Sequence, residues 1–590
     1  MEQAYFEQLH KDSQAIIQKY QKTSQAFTTK RTLSFLALLV TVAVAYDMNS
    51  PWPLLAGLGI FIYFFYLIGG HSRLHDDLDY ETNRDEVIKE YIHRFTGDWK
   101  EFRDKGEDFL ERKLTQDVDL NILGPSSIFQ YLNIARTNKG RSMLANRLRP
   151  EPVEGHELDL RQKEVSFFIE HIEDAIKLQA IARQIPFNHR MDSLLTYLRD
   201  RQGDPSPLMN KLIFILPLTV LILLVLSLFN IIPIEVPGVL FILQLSMALL
   251  SLGKNGVHIT PLYRLNKELI SYCQLLFTIR TIMPQKTGGI DPAEIGEALA
   301  PIKRLGILCA LAEVRHNFIL LFALNAICLW DFHIVRSFIG WQQAYGHRLE
   351  HWLDIWHEAE VAISLSVIGH TRPDITMPEL LEMEDGKPHI EAEALSNILI
   401  PPGEAIPNSI TLGPSLNIIT GSNMSGKTTW LRTLASSCIL AYAGAPVCGK
   451  ALRLTPVHVL TSIRVNDDLA SGISTFYAEL IRIKAMIEAA DRHIPMLAVI
   501  DEIFKGTNSA DRIVGAEAAL RRLSRPNLIT MVSTHDFELC HIKAEQVPVF
   551  NYHFEEKYQE DKLLFDYTMK EGPCQTTNAQ FLLKLVGITD

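Results

Sequence analysis

The sequence is poor in cysteine and contains no two cysteines at C-x-x-C spacing. Its seven cysteines are scattered over 590 residues without an even framework. Zinc and redox sites usually bring closely spaced cysteines together, so neither kind of site is predicted. The thiols are expected to be reduced, as in a cytosolic setting.

The sequence also lacks an excess of positive charge. It has 57 Lys and Arg against 68 Asp and Glu, which gives a net charge of −11. Because Lys and Arg neutralise phosphates in nucleic-acid complexes, general non-specific DNA binding is not favoured. A local basic patch remains open, although an ordinary solvated helix face fits the same residues. The candidates are Arg136, Lys139, Arg141, Arg147 and Arg149.

Four apolar stretches carry no charge at all: 32–46, 52–69, 212–229 and 239–252. A stretch of about 15 residues fits a buried core helix as well as a membrane span, and the first and fourth are near that length. The third is long enough to favour the membrane. The stretches therefore predict two transmembrane hairpins, connected by the short segments 47–51 and 230–238.

Flanking charges predict the orientation of both hairpins. Lys30, Arg31 and Arg73 flank the first and Lys211 and Lys254 the second, whereas neither connection contains Lys or Arg. By the positive-inside rule, both connections face away from the cytoplasm. The N-terminus and everything after residue 254 are then cytosolic. A removable signal peptide is not predicted, because the first apolar run begins only at residue 32.

A phosphate-binding loop is predicted after the apolar run 416–420. The segment 421–429, GSNMSGKTT, fits G-x-x-x-x-G-K-[ST] between a strand and a helix, and this context is typical of nucleoside triphosphate sites. Lys427 is expected to reach the phosphates and Thr428 to hold Mg²⁺. A plain glycine turn with a solvated lysine is the alternative. The expected ATP-binding residues are Gly421, Ser422, Asn423, Met424, Ser425, Gly426, Lys427, Thr428 and Thr429.

Two carboxylates end a second apolar strand. The segment 496–500 is followed by Asp501 and Glu502. A phosphate-loop enzyme needs one acid for Mg²⁺ and another to orient the attacking water. We assign Asp501 to the metal and Glu502 to hydrolysis; acids at a helix N-terminus are the alternative.

A histidine follows a third apolar strand. The run 527–533 delivers Thr534 and His535 to the carboxyl end of a strand, where ligands sit in open parallel sheets. An isolated histidine is more often structural. Beside two other nucleotide elements, His535 is predicted to sense the γ-phosphate as a catalytic residue together with Glu502 and Lys427.

The motifs together resemble the MutS mismatch-repair ATPases. The matching segments, in order, are 418–429, 467–476, 501–507 and 533–535. The resemblance implies an ABC-type ATPase homodimer in which 467–476 is the signature segment. It further implies that Ser474 contacts the γ-phosphate bound by the opposite subunit, and that residues 506–508 communicate between the two sites.

Two positions depart from the family pattern. The family usually has Arg where this chain has Ile473 and Lys505. An alkyl side chain cannot replace the hydrogen bonds of an arginine, so the contact in trans and its coupling to hydrolysis are expected to be altered. Lys427, Asp501, Glu502 and His535 are present and imply an active enzyme.

The resemblance weakens upstream and omits the DNA-reading parts. It covers 107 to about 200 and 255–590, and no recognisable clamp lies between 205 and 358. The Phe-x-Glu wedge of mismatch-binding members is not found in 1–106, and 168–170 fits its letters inside a helical stretch, where we assign it to packing or surface. No nuclease-like extension is expected after 574.

The predicted architecture is multidomain: an α-helical MutS-like core and lever with four transmembrane helices, and a C-terminal α/β P-loop ATPase domain. The predicted function is a membrane-anchored ATP hydrolase, using ATP and Mg²⁺, that binds mismatched or branched DNA by resemblance. An ATP-driven switch for a membrane or protein partner is the alternative, and a transporter is less favoured. The predicted segments are a cytosolic helix (1–31), hairpin 1 (32–70), a connector (71–106), core (107–210), hairpin 2 (211–254), lever (255–385) and ATPase (386–590).

Overall fold

Helices dominate the chain up to residue 371, and a mixed α/β region follows. The computed structural model describes residues 2–50, 52–111, 115–149, 151–185, 190–200, 207–422, 424–464, 475–505, 509–559 and 562–574. The helices are α1 (Gln3–Asp47), α2 (Trp52–Thr96), α3 (Gln116–Asp119), α4 (Ile128–Leu132), α5 (Asn138–Arg147), α6 (Gly155–Glu170), α7 (Ile172–Ala182), α8 (Arg190–Arg199), α9 (Pro207–Leu228), α10 (Glu235–Ile259), α11 (Asn266–Ile282), α12 (Pro292–Glu313), α13 (Phe318–Cys328), α14 (Trp330–Thr371), α15 (Lys427–Ala443), α16 (Thr475–Asp491) and α17 (Ser509–Arg522).

The strands form three sheets. They are β1 (Ile375–Thr376), β2 (Glu379–Leu380), β3 (Ile390–Leu395), β4 (Asn408–Leu412), β5 (Ser415–Thr420), β6 (Val447–Cys448), β7 (Ala451–Leu454), β8 (His458–Ser462), β9 (Met496–Asp501), β10 (Leu528–Ser533), β11 (Val549–Gln559) and β12 (Lys562–Glu571). The largest sheet has the order β12-β11-β5-β10-β9-β8, a second has the order β2-β7-β3-β4, and β1 pairs with β6.

The large sheet places the predicted motifs along one edge. β11, β5, β10, β9 and β8 are mutually parallel, and only β12 is antiparallel. Every residue of β5, β9 and β10 is buried, which explains why these strands are near-continuous apolar runs rather than alternating ones. The three strands predicted from 416–420, 496–500 and 527–533 are confirmed. Their carboxyl ends carry Gly421, Asp501 and Thr534.

The chain divides into two compact units. The first comprises Met1–Gln14, Asp85–Ala175 and Glu360–Asp590, and the second comprises Ala15–Arg84 and Ile176–Ala359. The first unit contains all three sheets. Phe168, the aromatic residue of the wedge-like letters, lies in α6 of this unit and is buried. Its assignment to packing is therefore confirmed.

The second unit contains the four uncharged stretches; three lie within α1, α2 and α10, and 212–229 ends one residue beyond α9. Among the described residues, four helical segments are long and apolar enough to cross a membrane: Gln3–Asp47, Trp52–Thr96, Asn210–Leu228 and Glu235–Ile282. Most of their apolar side chains in the uncharged stretches are exposed. α1 and α2 pair through Ser24 and His71, whose Oγ and Nε2 atoms are 3.0 Å apart, while α9 packs against α10.

Candidate nucleotide site

The loop between β5 and α15 requires glycine at two positions. Gly421 has φ +143° and Gly426 has φ +107°, both in the region that favours glycine. A Cβ atom at Gly421 would lie 2.7 Å from the carbonyl oxygen of Phe554 on β11. Ser425 closes the turn, because its Oγ donates to the Ser422 carbonyl oxygen at 2.8 Å. The loop thus packs tightly against the sheet and leads into the first turn of a helix.

The Lys427 side chain is folded back over this loop. Its Nζ donates to the carbonyl oxygens of Gly421 and Ser422, both at 2.8 Å. Burial lowers the pKa of Lys427, and the nearby carboxylates of Glu502 and Asp501 oppose that shift. A buried cation whose hydrogen bonds to the described residues go to neutral carbonyl groups is well suited to an anionic ligand.

Thr428 and Asp501 meet directly. The Thr428 Oγ1 atom is 3.0 Å and 2.9 Å from the two carboxylate oxygens of Asp501, and it can donate to only one of them at a time. Ser533 Oγ, at the end of β10, also donates to Asp501. A hydroxyl and a carboxylate at this distance form the hard oxygen donor set that Mg²⁺ prefers. The proposed pair of metal ligands is thus assembled from elements 73 residues apart.

Glu502 and His535 are also in contact. The sequence predicted that both follow parallel strands whose carboxyl ends form one site. The His535 Nε2 and Glu502 Oε1 atoms are 3.1 Å apart, and Lys505 Nζ is 3.3 Å from Glu502 Oε2. The hydrogen bond with His535 and the charge of Lys505 outweigh burial and lower the pKa of Glu502 to about 2. Glu502 has φ +54°, an uncommon conformation for a residue with a side chain. Such conformations concentrate at functional sites.

The remaining predicted loop residues have distinct positions. Met424 has φ +71° and a largely exposed side chain. The Thr429 side chain is exposed, and its carbonyl oxygen accepts from Thr433 Oγ1 at 2.7 Å. Asn423 and Ser474 lie outside the described residues, as do Ile473 and 506–508.

A cavity of about 570 Å³ opens beside the loop. Its lining combines the loop and Glu502 with residues that no sequence motif indicated, including Leu395, Ile400, Ile406 and Tyr567. Asn408, also in the lining, ties β4 to β12, because its side chain donates to the Tyr567 carbonyl oxygen at 2.9 Å and accepts from the Met569 amide at 2.7 Å. The cavity is therefore lined by both polar and apolar side chains.

A buried carboxylate on β11 touches the loop. Ser422 Oγ donates to Glu556, which is 6% exposed. Its sequence context gives no signal of this contact, since Glu556 lies 134 residues further along the chain. The negative charge of Glu556 acts, like those of Glu502 and Asp501, against the lowering of the Lys427 pKa by burial.

Asp119, at the end of α3, anchors the large sheet. Its carboxylate is fully buried and accepts from Thr461 Oγ1 at 2.7 Å, from the Ile463 amide at 3.1 Å and from the Arg464 amide at 3.0 Å. Arg482 on α16 donates to both of its oxygens, at 3.0 Å and 3.2 Å. Asp119 thus joins the end of β8 to α16.

The candidate basic patch is largely paired with acids. Arg141 makes ion pairs with Asp104 at 2.6 Å and Asp108 at 3.0 Å, and its side chain is 11% exposed. Arg149 pairs with Glu111 at 2.6 Å and Arg136 with Glu90 at 3.2 Å. Three of the five basic side chains therefore already have carboxylate partners.

Comparison with known proteins supports the resemblance in the C-terminal region. Residues 417–588 match the family model "MutS domain V". The match begins on β5 and takes in the loop, Asp501, Glu502 and His535. Members of the MutS family are ATPases, so ATP hydrolysis is supported at the level of the family.

A curated relative agrees with this match. The chain is 32% identical over 179 residues to "DNA mismatch repair protein MutS 2" of Haloarcula marismortui. The matched part is 30% of this chain and 19% of the relative, so the chain spans less than a fifth of that protein's length. Together the two matches support membership of the MutS family, and the helical region followed by an α/β region fits a MutS-like architecture.

Proposed function

We propose that the chain is an ATP hydrolase of the MutS type, anchored in a membrane and working as a homodimer. The observation that carries the proposal is the convergence of Thr428 with Asp501 and of Glu502 with His535 at the carboxyl edge of one parallel sheet. These two pairs lie next to a glycine-dependent loop, and the loop lines a cavity of about 570 Å³. That volume lies within the usual range for small-molecule sites.

The site fits ATP and Mg²⁺ by its chemistry. The amide groups at the start of α15 and the Lys427 ammonium suit phosphate oxygens. The apolar side chains of the lining, among them Tyr567 and Ile406, would suit a flat base. Thr428 and Asp501 would hold Mg²⁺, which would neutralise charge on the β and γ phosphates. These apolar side chains would extend the set of nucleotide-contacting residues beyond those predicted from the sequence.

Glu502 would orient the attacking water rather than remove its proton early. A carboxylate whose pKa is about 2 is a weak base at neutral pH, so its contribution is a fixed, ionised hydrogen-bond acceptor. His535 holds this carboxylate from one side and Lys505 from the other. His535 would also contact the γ-phosphate. Lys427 would exchange its carbonyl partners for phosphate oxygens.

The homodimer would bury exposed apolar side chains of α16 and α17. Tyr477 and Ile481 on α16 and Val514 on α17 are exposed. Aromatic residues are enriched at protein interfaces. Ser474, immediately before α16, would contact the nucleotide of the opposite subunit. Members of the family act as dimers, which supports the same arrangement.

Membrane anchoring rests on the four apolar helical segments. Their exposed leucine, isoleucine, valine and phenylalanine side chains would face lipid, where burial stabilises them. The flanking Lys30, Arg31, Lys211 and Lys254 would lie on the cytosolic side, together with the ATPase region. The seven segments expected from the sequence, from 1–31 to 386–590, form part of this proposal.

DNA binding enters the proposal through the family and the name of the relative. The ion pairs of Arg136, Arg141 and Arg149 favour the second candidate, an ATP-driven switch for a membrane or protein partner. A basic side chain that already neutralises a carboxylate releases fewer counterions on contact with phosphates and gains less affinity from it.

ATP turnover by the detergent-solubilised full chain distinguishes the candidates. We would measure it with and without homoduplex, mismatched and four-way-junction DNA, and measure DNA binding across a salt series. Stimulation by one DNA form, with binding that survives physiological salt, would establish a DNA-dependent ATPase. Turnover indifferent to every DNA form would leave the ATPase in place and favour the switch.

A further inference from the structure

We propose that α13 (Phe318–Cys328) inserts into the lipid bilayer beside hairpin 2 (α9 and α10), entering and leaving on the cytosolic side. The sequence interpretation placed these residues among the cytosolic lever helices. The inference rests on the membrane anchoring proposed above. Its partner is the acyl-chain region of the bilayer.

The first reason is the exposed surface of α13. The helix contains no charged residue, and Phe318, Ile319 and Ile327 are 72%, 79% and 66% exposed. An apolar helix of 10–14 residues is either buried in a protein core or placed at or partly inside a membrane. The exposed side chains exclude the core. α13 also packs against both α9 and α10, so its apolar surface continues that of hairpin 2.

The second reason is a hydrogen bond in the middle of an apolar helix. Gln244 of α10 is fully buried, and its Nε2 donates to the Ala326 carbonyl oxygen at 2.7 Å. Ala326 belongs to the last turn of α13, where carbonyl oxygens have no partner within the helix. In lipid such a group must be satisfied by protein. Gln244 therefore supplies the hydrogen-bond donor that the Ala326 carbonyl oxygen would need in a membrane-inserted helix.

The third reason is that both ends of α13 lie beside the cytosolic ends of hairpin 2. On the entering side, Arg315 donates to the Leu252 carbonyl oxygen at 3.2 Å, two residues before Lys254. On the leaving side, the rings of His333 and Phe214 are 4.8 Å apart, and Phe214 lies three residues after Lys211. The residues before and after α13 thus both lie at the level of the cytosolic ends of α9 and α10.

The depth agrees with a partial insertion. Eight residues of α10 separate Leu252 from Gln244, which corresponds to about 12 Å of helix. The hydrocarbon core is about 30 Å thick, so the end of α13 reaches less than halfway across it. The chain bends by 112° between the helical segment Pro292–His316 and α13, so α13 does not continue the direction of the helix before it.

The polar groups at the base of α13 are paired. Asn317 caps the helix by accepting from the amides of Ile319 and Leu320, both at 3.1 Å. Arg315 and Asp331, one on each side of α13, form an ion pair at 3.4 Å, and Asp331 is buried. Charges near lipid are tolerated when they are paired in this way.

Photocrosslinking to lipid tests the contact. The full chain, with Ile319 or Ile327 replaced by benzoylphenylalanine, would be reconstituted in vesicles of phosphatidylethanolamine and phosphatidylglycerol with tritiated acyl chains. Leu250 of hairpin 2, 85% exposed, is the lipid-facing control, and Phe550 on β11, 47% exposed, is the control away from lipid. After irradiation we expect tritium on the Ile319, Ile327 and Leu250 variants and none on the Phe550 variant.

The controls separate two failures. Tritium on the Leu250 variant alone would leave the membrane hairpin standing and overturn the insertion of α13, as would crosslinking of the Ile319 variant to a second copy of the chain. No tritium on any variant would overturn the membrane anchor and this inference together.

A sidedness measurement tests the re-entrant path. His316→Cys and Gly340→Cys place thiols at exposed positions before and after α13. In intact cells we expect a membrane-permeant maleimide to label both introduced thiols above the level seen with the parent chain, which has its own cysteines. We expect a membrane-impermeant maleimide to label neither introduced thiol above that level. Labelling of one position but not the other by the impermeant reagent would show a full crossing and contradict the proposal.

Discussion

Replacing Asp119 by Asn should destabilise the first unit far more than an ordinary surface change. The two oxygens of Asp119 accept from different backbone amides, Oδ2 from Ile463 and Oδ1 from Arg464. Whichever oxygen becomes an NH₂ group, one amide loses its acceptor. Arg482 loses its charged partner in the same substitution.

The expected cost follows from these losses. Breaking a buried ion pair by removing one partner costs about 3–5 kcal/mol, and Asn keeps part of the hydrogen bonding, so we expect about 3 kcal/mol. The unfolding entropy is about 2.1 cal/mol/K per residue, so in the first unit, which has roughly 340 residues, each kcal/mol lowers the Tm by about 1.4 °C and the expected fall is about 4 °C. The strands and helices joined by Asp119 would open locally first.

Thermal unfolding and amide hydrogen exchange of the full chain in detergent would measure both effects. Asp108→Asn is the matched control, because Asp108 is 55% exposed and its ion pair with Arg141 lies near the surface, where such pairs contribute about 0–1 kcal/mol. We expect faster exchange in the peptide that contains Ile463 only in Asp119→Asn. Equal Tm and equal exchange in the two variants would refute the anchoring role of Asp119.

Two further predictions concern the nucleotide site. Gly421→Ala should lower ATP affinity at least about tenfold, because the φ of +143° and the carbonyl oxygen 2.7 Å from the new Cβ force the loop to move. The control is Gly413→Ala, whose new Cβ meets no atom within 4 Å and which should leave the affinity in a fluorescent-nucleotide titration unchanged. Equal ATP affinities of the two variants would contradict the packing argument. The pKa of Glu502 is lowered from 4.5 to about 2, so the stability from its ionised form is present above about pH 4.5 and is lost only as the pH falls through 2. Wild-type ATP turnover, which depends on ionised Glu502, should therefore persist at pH 5. The His535→Gln variant lacks the largest cause of the lowered Glu502 pKa, so its residual turnover should fall as the pH approaches 4.5. Identical loss of turnover with acid in the wild type and in His535→Gln would show that His535 does not set this pKa.

Strong local patterns allowed the strands and loop to be predicted. The apolar runs of β5, β9 and β10 ended where the sequence placed Gly421, Asp501 and Thr534, because fully buried parallel strands need apolar residues on both faces. In each case the signal and the structure it specifies lie within one short segment.

Other features depend on residues distant in sequence. The cavity lining brings Ile406 and Tyr567 together with the loop, and Glu556 reaches the loop from β11, but no local pattern encodes either approach. Arg141 was a candidate for DNA contact because its two carboxylate partners cannot be recognised from the sequence. Asp104 and Asp108 lie 37 and 33 residues away along the chain. The residues of α13 were assigned to the lever, because a short apolar run has the same composition in a core and in a membrane.

ATP binding and turnover by Glu502→Gln test the central proposal most directly. The variant keeps the shape of the side chain but loses the charge that orients water, so we expect nucleotide affinity within about twofold of the wild type and a fall in kcat of about 100-fold or more. Glu538→Gln, an exposed neighbour outside the cavity lining, is the control and should match the wild type in both measurements. A Glu502→Gln variant that hydrolyses ATP at the wild-type rate would contradict the assignment of the hydrolytic site.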